Sequence, residues 1–213
     1  MNMEISRNEL ISFKTHFFGF ILAIAGMIAL IIKNTGLPDI QATSVVYGLS
    51  MLFMFGASSM YHFNKNAENT ETLWRKIDHL AIFVMIAGSY TPFSYIHLEG
   101  NWRWGIIITQ WSLVALGIFF KFFYINAPRK LNTAIYLAMG WVVLIPIRQF
   151  VHNAPVYVSI LLAVGGVFYT IGAVIYARKR PNPIPGFFGF HEIFHIFIIL
   201  GAMSHFAAIF LSR

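Results

Sequence analysis

Near the end of the chain stands His191-Glu192-Ile193-Phe194-His195. Two histidines four apart on a helix project from one face, one turn apart. That spacing lets two imidazole nitrogens share one metal ion. The pair lies inside an apolar segment, 187–211, where ionisable groups are costly and turn toward a bundle interior. The plainer alternative is a pair of interfacial histidines solvated by headgroups and water. The letters also match the zinc-protease pattern His-Glu-x-x-His, in which the glutamate is the general base. That reading is weak here. No Asp or Glu follows Glu192 to supply a third ligand, and Gly201 and His205 miss the spacing of the three-histidine variant. His205 lies ten residues beyond His195, roughly 15 Å deeper along a helix, and is expected to be a hydrogen-bonded core histidine.

The elements that must position these residues are membrane spans. The 213 residues are 58% hydrophobic and 11% charged, with a mean hydropathy of +0.68. That is too apolar and charge-poor for a soluble domain. Cysteine is absent, which excludes a disulfide framework, a thiolate metal site and a cysteine nucleophile. The net charge of +7 does not imply nucleic acid, because the basic residues fall in short runs between apolar segments.

Seven apolar segments approach the roughly 20 residues needed to cross the hydrocarbon core. They are 15–32, 41–62, 77–97, 102–120, 132–150, 156–177 and 187–211, and they predict one all-α, seven-helix membrane domain over 1–213. The first is not read as a signal peptide, since it lacks a small-residue cleavage site. Residues 1–14, with Glu4, Arg7, Glu9 and Lys14 among Ile5, Leu10, Ile11 and Phe13, read as a short amphipathic segment lying at the interface. With the N-terminus inside, the inner segments hold Arg7, Lys14, Lys65, Arg75, Lys76, Lys121, Arg129, Lys130, Arg178, Lys179 and Arg180. The outer ones hold only Lys33, Arg103, Arg148 and Arg213. The bias predicts N-terminus in and C-terminus out. Pro92 and Pro146 fall inside spans and are expected to kink helices three and five.

This topology brings separate residues to one layer. His62 ends helix two at the inner face, Asp78 and His79 fall in the first turn of helix three, and His191 and His195 lie one to two turns into helix seven. Three histidines plus a water or carboxylate make a catalytic-type zinc set with one exchangeable position. Ser58 is one turn from His62 on the same face, about 5–6 Å along the axis. Its hydroxyl could hold a water, orient a ligand or bond to Asp78; equally, it could bond its own backbone or let helices pack closely. Asp78 could be a ligand, a base on a metal-bound water, or a charge answering the helix dipole. His79 points about 100° away from Asp78 and stays outside the ligand set.

These residues, in this order, resemble the progestin and adipoQ receptor family, specifically its bacterial hemolysin III branch. The matching pieces are Ser58-x-x-x-His62, then Asp78-His79 running into Ala87-Gly88-Ser89-Tyr90-Thr91-Pro92-Phe93. After them come Tyr136-Leu137-Ala138-Met139-Gly140-Trp141, His191-x-x-x-His195 and His205-Phe206. Glu9 and His16 look like the family's first-helix acid and histidine. The resemblance implies seven helices, a cytoplasmic N-terminus, residence in a bacterial plasma membrane, and a zinc ion near the inner leaflet. It implies His62, His191 and His195 as zinc ligands, Asp78 as a carboxylate reaching the metal through water, and Ser58 close by. It does not imply Glu192 as an obligatory base.

Three functions follow as expectations. The first is a zinc-dependent hydrolase of a lipid amide or ester, with Asp78 and Ser58 assisting, as a more distant likeness to membrane ceramidases also implies. The second is a non-enzymatic sensor or regulator of the membrane in which zinc is structural. The third is a pore-forming cytolysin, as the branch name implies, although no ring of charged residues lines a channel. Membrane lipids are the expected partners.

Overall fold

Within a bilayer no water is available to the backbone, so each apolar run must close its own hydrogen bonds as a helix. The computed structural model describes residues 7–65, 72–124 and 126–213. Over these residues the helices are α1 (Arg7–Lys33), α2 (Pro38–Phe63), α3 (Leu73–His97), α4 (Gly100–Phe123), α5 (Arg129–Gly140), α6 (Ile147–Asn153), α7 (Val156–Arg178) and α8 (Phe190–Leu211). Six are long and apolar enough to cross a membrane singly. The remaining span, fifth in chain order, is broken: α5 leads through a 3₁₀ turn, Trp141–Leu144, into α6, with a bend of 57°. The break falls at Pro146, as expected of a proline in a span. By contrast, α3 continues as one helix across Pro92.

Sequence punctuation sets the ends. Pro38 sits in the first turn of α2, and the Thr72 hydroxyl accepts the Arg75 N–H to cap α3. This cap starts α3 at Leu73, earlier than the apolar pattern predicts, so Asp78 and His79 occupy its second turn rather than its first. Past the first turn the helix dipole has little hold on a charge, and that account of Asp78 loses its basis.

Residues 7–14 also differ from expectation. They form the opening two turns of α1, continuous with the first span. The part of the expected interfacial segment before Arg7 lies outside the described residues. Continuity follows from what α1 buries: Glu9, Ser12, His16, Gly19, Ala23, Gly26 and Leu30, spaced alternately three and four apart. That is one narrow helical stripe, small or polar except at Leu30, while Phe17, Phe18 and Ile21 face outward. Gly19 meets the ring of Phe55 and Gly26 that of Phe206, so a side chain at either position would collide with the neighbouring helix.

The broken span leaves backbone groups without helical partners, and α3 and α4 supply them. The Tyr90 hydroxyl donates to the Gly140 carbonyl at 2.7 Å and accepts the Val143 N–H at 2.7 Å. Gln110 Nε2 donates to the Met139 carbonyl at 3.0 Å. Tyr90→Phe removes both Tyr90 bonds and strands two polar groups. We expect a loss of about 1–3 kcal/mol, read as earlier thermal unfolding in detergent; an unchanged melting temperature would refute the bridging role.

Candidate metal centre

His62 lies in the last turn of α2, and His191 and His195 lie in the first two turns of α8. The fold brings the three together. One ring nitrogen from each falls within 4.8 Å of the others, and His62 and His195 are almost wholly buried, at 1% and 2% exposure. His191 Nε2 stands 3.2 Å from His62 Nε2. Two nitrogens bound to one tetrahedral zinc at about 2.0–2.1 Å each would be about 3.3 Å apart, so the observed separation suits a shared ion.

The far side of each ring agrees. Glu9 Oε2 accepts from His62 Nδ1 at 2.6 Å, while Lys65 donates to the other Glu9 oxygen. The Thr15 hydroxyl donates to the carbonyls of Ile11 and Ser12, so toward His195 Nδ1, at 3.3 Å, it acts as acceptor. In both rings Nδ1 carries the proton and Nε2 keeps its lone pair for a cation. His16 stacks on His195, with centroids 3.6 Å apart and planes 12° from parallel.

Glu192 faces away from this work. Its Oε2 accepts the Gly189 N–H at 2.8 Å, capping α8, and its Oε1 accepts the Ser12 hydroxyl at 3.1 Å. Both oxygens are committed to structure, as the weak protease reading anticipates. Asp78 and Ser58 share a cavity with the three histidines. Asp78 does not join the ligand group within its 4.8 Å span, and His79 stays outside it too, with Nδ1 on the Arg75 carbonyl at 2.8 Å. His205 is a buried histidine whose Nε2 bonds the Leu162 carbonyl at 3.3 Å.

The cavity measures about 670 Å³ and runs from the histidines past Ile82, Ile86, Phe93 and Leu162 toward α6. Gly140, Trp141, Leu144 and Ala163 line it and are also exposed, so it opens sideways between the broken span and α7.

The model of the family described as "Haemolysin-III related" matches residues 5–206. The chain belongs to the haemolysin-III related family. It is 33% identical over 211 residues to Hemolysin-3 of Bacillus cereus, covering 97% of this chain and 93% of that protein. It is also 33% identical to the Hemolysin-3 homolog of Bacillus subtilis (strain 168), covering 94% and 92% respectively. Heptahelical transmembrane protein 1 of Arabidopsis thaliana is 28% identical over 230 residues, covering 94% of this chain and 68% of that one. As a haemolysin-III related protein the chain is an integral membrane protein of heptahelical architecture, with a buried three-histidine cluster able to hold a metal ion.

Reading residue types in isolation undervalued Glu9, because 1–14 looked like an interfacial segment, and gave Thr15 and Lys65 no part in the site. The three-and-four spacing from Glu9 to Leu30 was the available signal that Glu9 faces inward. Glu9→Gln keeps an acceptor for His62 but removes the charge that fixes its ring. Affinity for zinc, measured against a competing chelator, should fall about 10- to 100-fold; equal affinity would mean that Glu9 does not tune the site.

Proposed function

We propose that this chain is a zinc-dependent hydrolase of an acyl lipid, cleaving an amide or ester at the histidine end of the cavity. The observation that carries this reading is the joining of three closely set imidazoles to a large apolar cavity that opens sideways. His62, His191 and His195 would hold the zinc, which would supply Lewis acidity and bring the pKa of a water close to 7. No carboxylate among the described residues joins the three imidazoles, which supports an open position for water or substrate.

Asp78, on the wall of the same cavity, takes the water's proton and passes it to the departing amine or alcohol. Ser58 offers its hydroxyl to the acyl oxygen as charge develops there. Glu9 and Thr15 keep the His62 and His195 rings aimed, while Ile82, Ile86 and Phe93 receive the acyl chain and exclude water. Lysine and arginine bias supports an inner-leaflet position for this end, with the N-terminus inside a bacterial plasma membrane.

A second reading, zinc bracing a non-enzymatic sensor, is favoured by one observation. The same histidines already tie α1, α2 and α8 together through Glu9, Thr15 and the His16 stack.

The deciding measurement combines metal content with turnover of N-acyl amide and ester lipids by the purified chain. We expect about one zinc per chain, lost in His191→Ala together with activity. Asp78→Asn should keep its zinc and lose on the order of 100-fold or more in turnover. Zinc-loaded wild type that cleaves none of these lipids would overturn the hydrolase reading in favour of the brace. Full turnover by Asp78→Asn would remove Asp78 from the proton path.

A further inference from the structure

Buried polar atoms normally find partners, so those that do not point to something missing. Three such atoms lie on α7 and α8 along the cavity: Ser159 Oγ, the Tyr169 hydroxyl and His205 Nδ1 find no hydrogen-bond partner among the described residues. None belongs to the metal centre. His205 is ten residues along α8 from His195, about 15 Å toward the other end of the bundle.

Tyr169 and His205 form a built pair. Their rings meet edge to face at 5.2 Å, and each rests on a glycine of the opposite helix. A Cβ at Gly165 would stand 2.2 Å from His205 Cδ2, and one at Gly201 would stand 2.8 Å from the Tyr169 ring. Only the missing side chains let both polar rings into this layer. His205 Nε2 donates to the Leu162 carbonyl, which leaves Nδ1 as a bare acceptor. The Tyr169 hydroxyl can donate as well as accept. Phe93 and Leu162 line the cavity around them, and among the described residues the only lysine or arginine side chains on its wall, Arg75 and Arg129, belong to the histidine end. A neutral group that both gives and takes a hydrogen bond suits this pair.

We propose that Tyr169 and His205 form a second polar subsite that recognises a hydroxyl on the acyl chain of the bound lipid. That hydroxyl donates to His205 Nδ1 and accepts from Tyr169, with Ser159 farther along the same wall. A chain of hydrocarbon alone leaves both atoms desolvated and unpaired, which favours the hydroxylated one. With the acyl head at the histidines, about 15 Å of extended chain places the hydroxyl roughly ten to twelve carbons along. The subsite rests on the acyl-chain reading of the cavity but not on hydrolysis.

The test is direct binding of two radiolabelled acids, octadecanoate and 12-hydroxyoctadecanoate, to the intact purified chain. Neither contains a bond to hydrolyse, so the result is independent of turnover. Wild type should bind the hydroxy acid on the order of five- to tenfold more tightly. Tyr169→Phe and His205→Phe should each lose most of that preference, binding octadecanoate more tightly than wild type because the polar atom it leaves unpaired is gone. Tyr169→Phe deletes a single oxygen and keeps its ring on Gly201, so one variant remains folded if His205→Phe does not; zinc content checks both. Equal binding of the two acids by wild type overturns the subsite, as does a preference that survives in Tyr169→Phe. If neither acid binds, the acyl-chain reading fails first and the subsite falls with it.

Discussion

An imidazole buried in a membrane bundle has two nitrogens to satisfy and no water to satisfy them. That constraint organises one end of this molecule. For His62 and His195 the protein supplies a partner on one side only, Glu9 and Thr15 at Nδ1, and leaves Nε2 turned inward. His191 Nε2 comes within 3.2 Å of that inward nitrogen of His62, and a cation held among the three rings would turn this crowding into coordination. The outer partners of the rings thus matter as much as the rings themselves. They set which nitrogen is free and where it points.

Those partners come from α1, a helix that is apolar on its outside and small or polar on its inside. In water such a stripe would be unusual; in lipid it is the natural way to pack. Lipid tails offer the same dispersion contacts as leucine, so helices gain by close approach and by interhelical hydrogen bonds. The glycines of α1 admit Phe55 and Phe206, and the approach they permit brings Glu9, Ser12, Thr15 and His16 within reach of α2 and α8.

The cavity follows from the opposite circumstance, a place where close packing fails. Pro146 and the 3₁₀ turn before it bend the fifth span by 57°, and a bent helix cannot lie flush along α7. The bend is tolerable because Tyr90 and Gln110 bond the carbonyls and N–H that it frees. Space, a sideways opening and a polar end therefore arise in one arrangement. A lipid-directed chemistry needs all three.

Much of this was legible in the residues themselves. Apolar segment lengths specify the number of spans, because bilayer thickness and helical rise leave little choice. The i, i+4 spacing of His191 and His195 puts both on one face, and the placing of Pro146 foretells the break. What residue types alone could not supply was the company each histidine keeps. Glu9 lies 53 residues from His62, and Ser12 lies 180 from Glu192. Such pairings depend on which helices adjoin and at what rotation, a matter of packing between surfaces rather than of local pattern. The starting turn of α3 is by contrast a local matter, since the Thr72 hydroxyl caps the helix through the N–H three residues on and moves Asp78 out of the reach of the helix dipole. The sequence by itself determined the spans and the residues able to ligate a metal. Tertiary structure decided which nitrogens face inward and where the cavity runs, because both depend on contacts between helices distant in the chain.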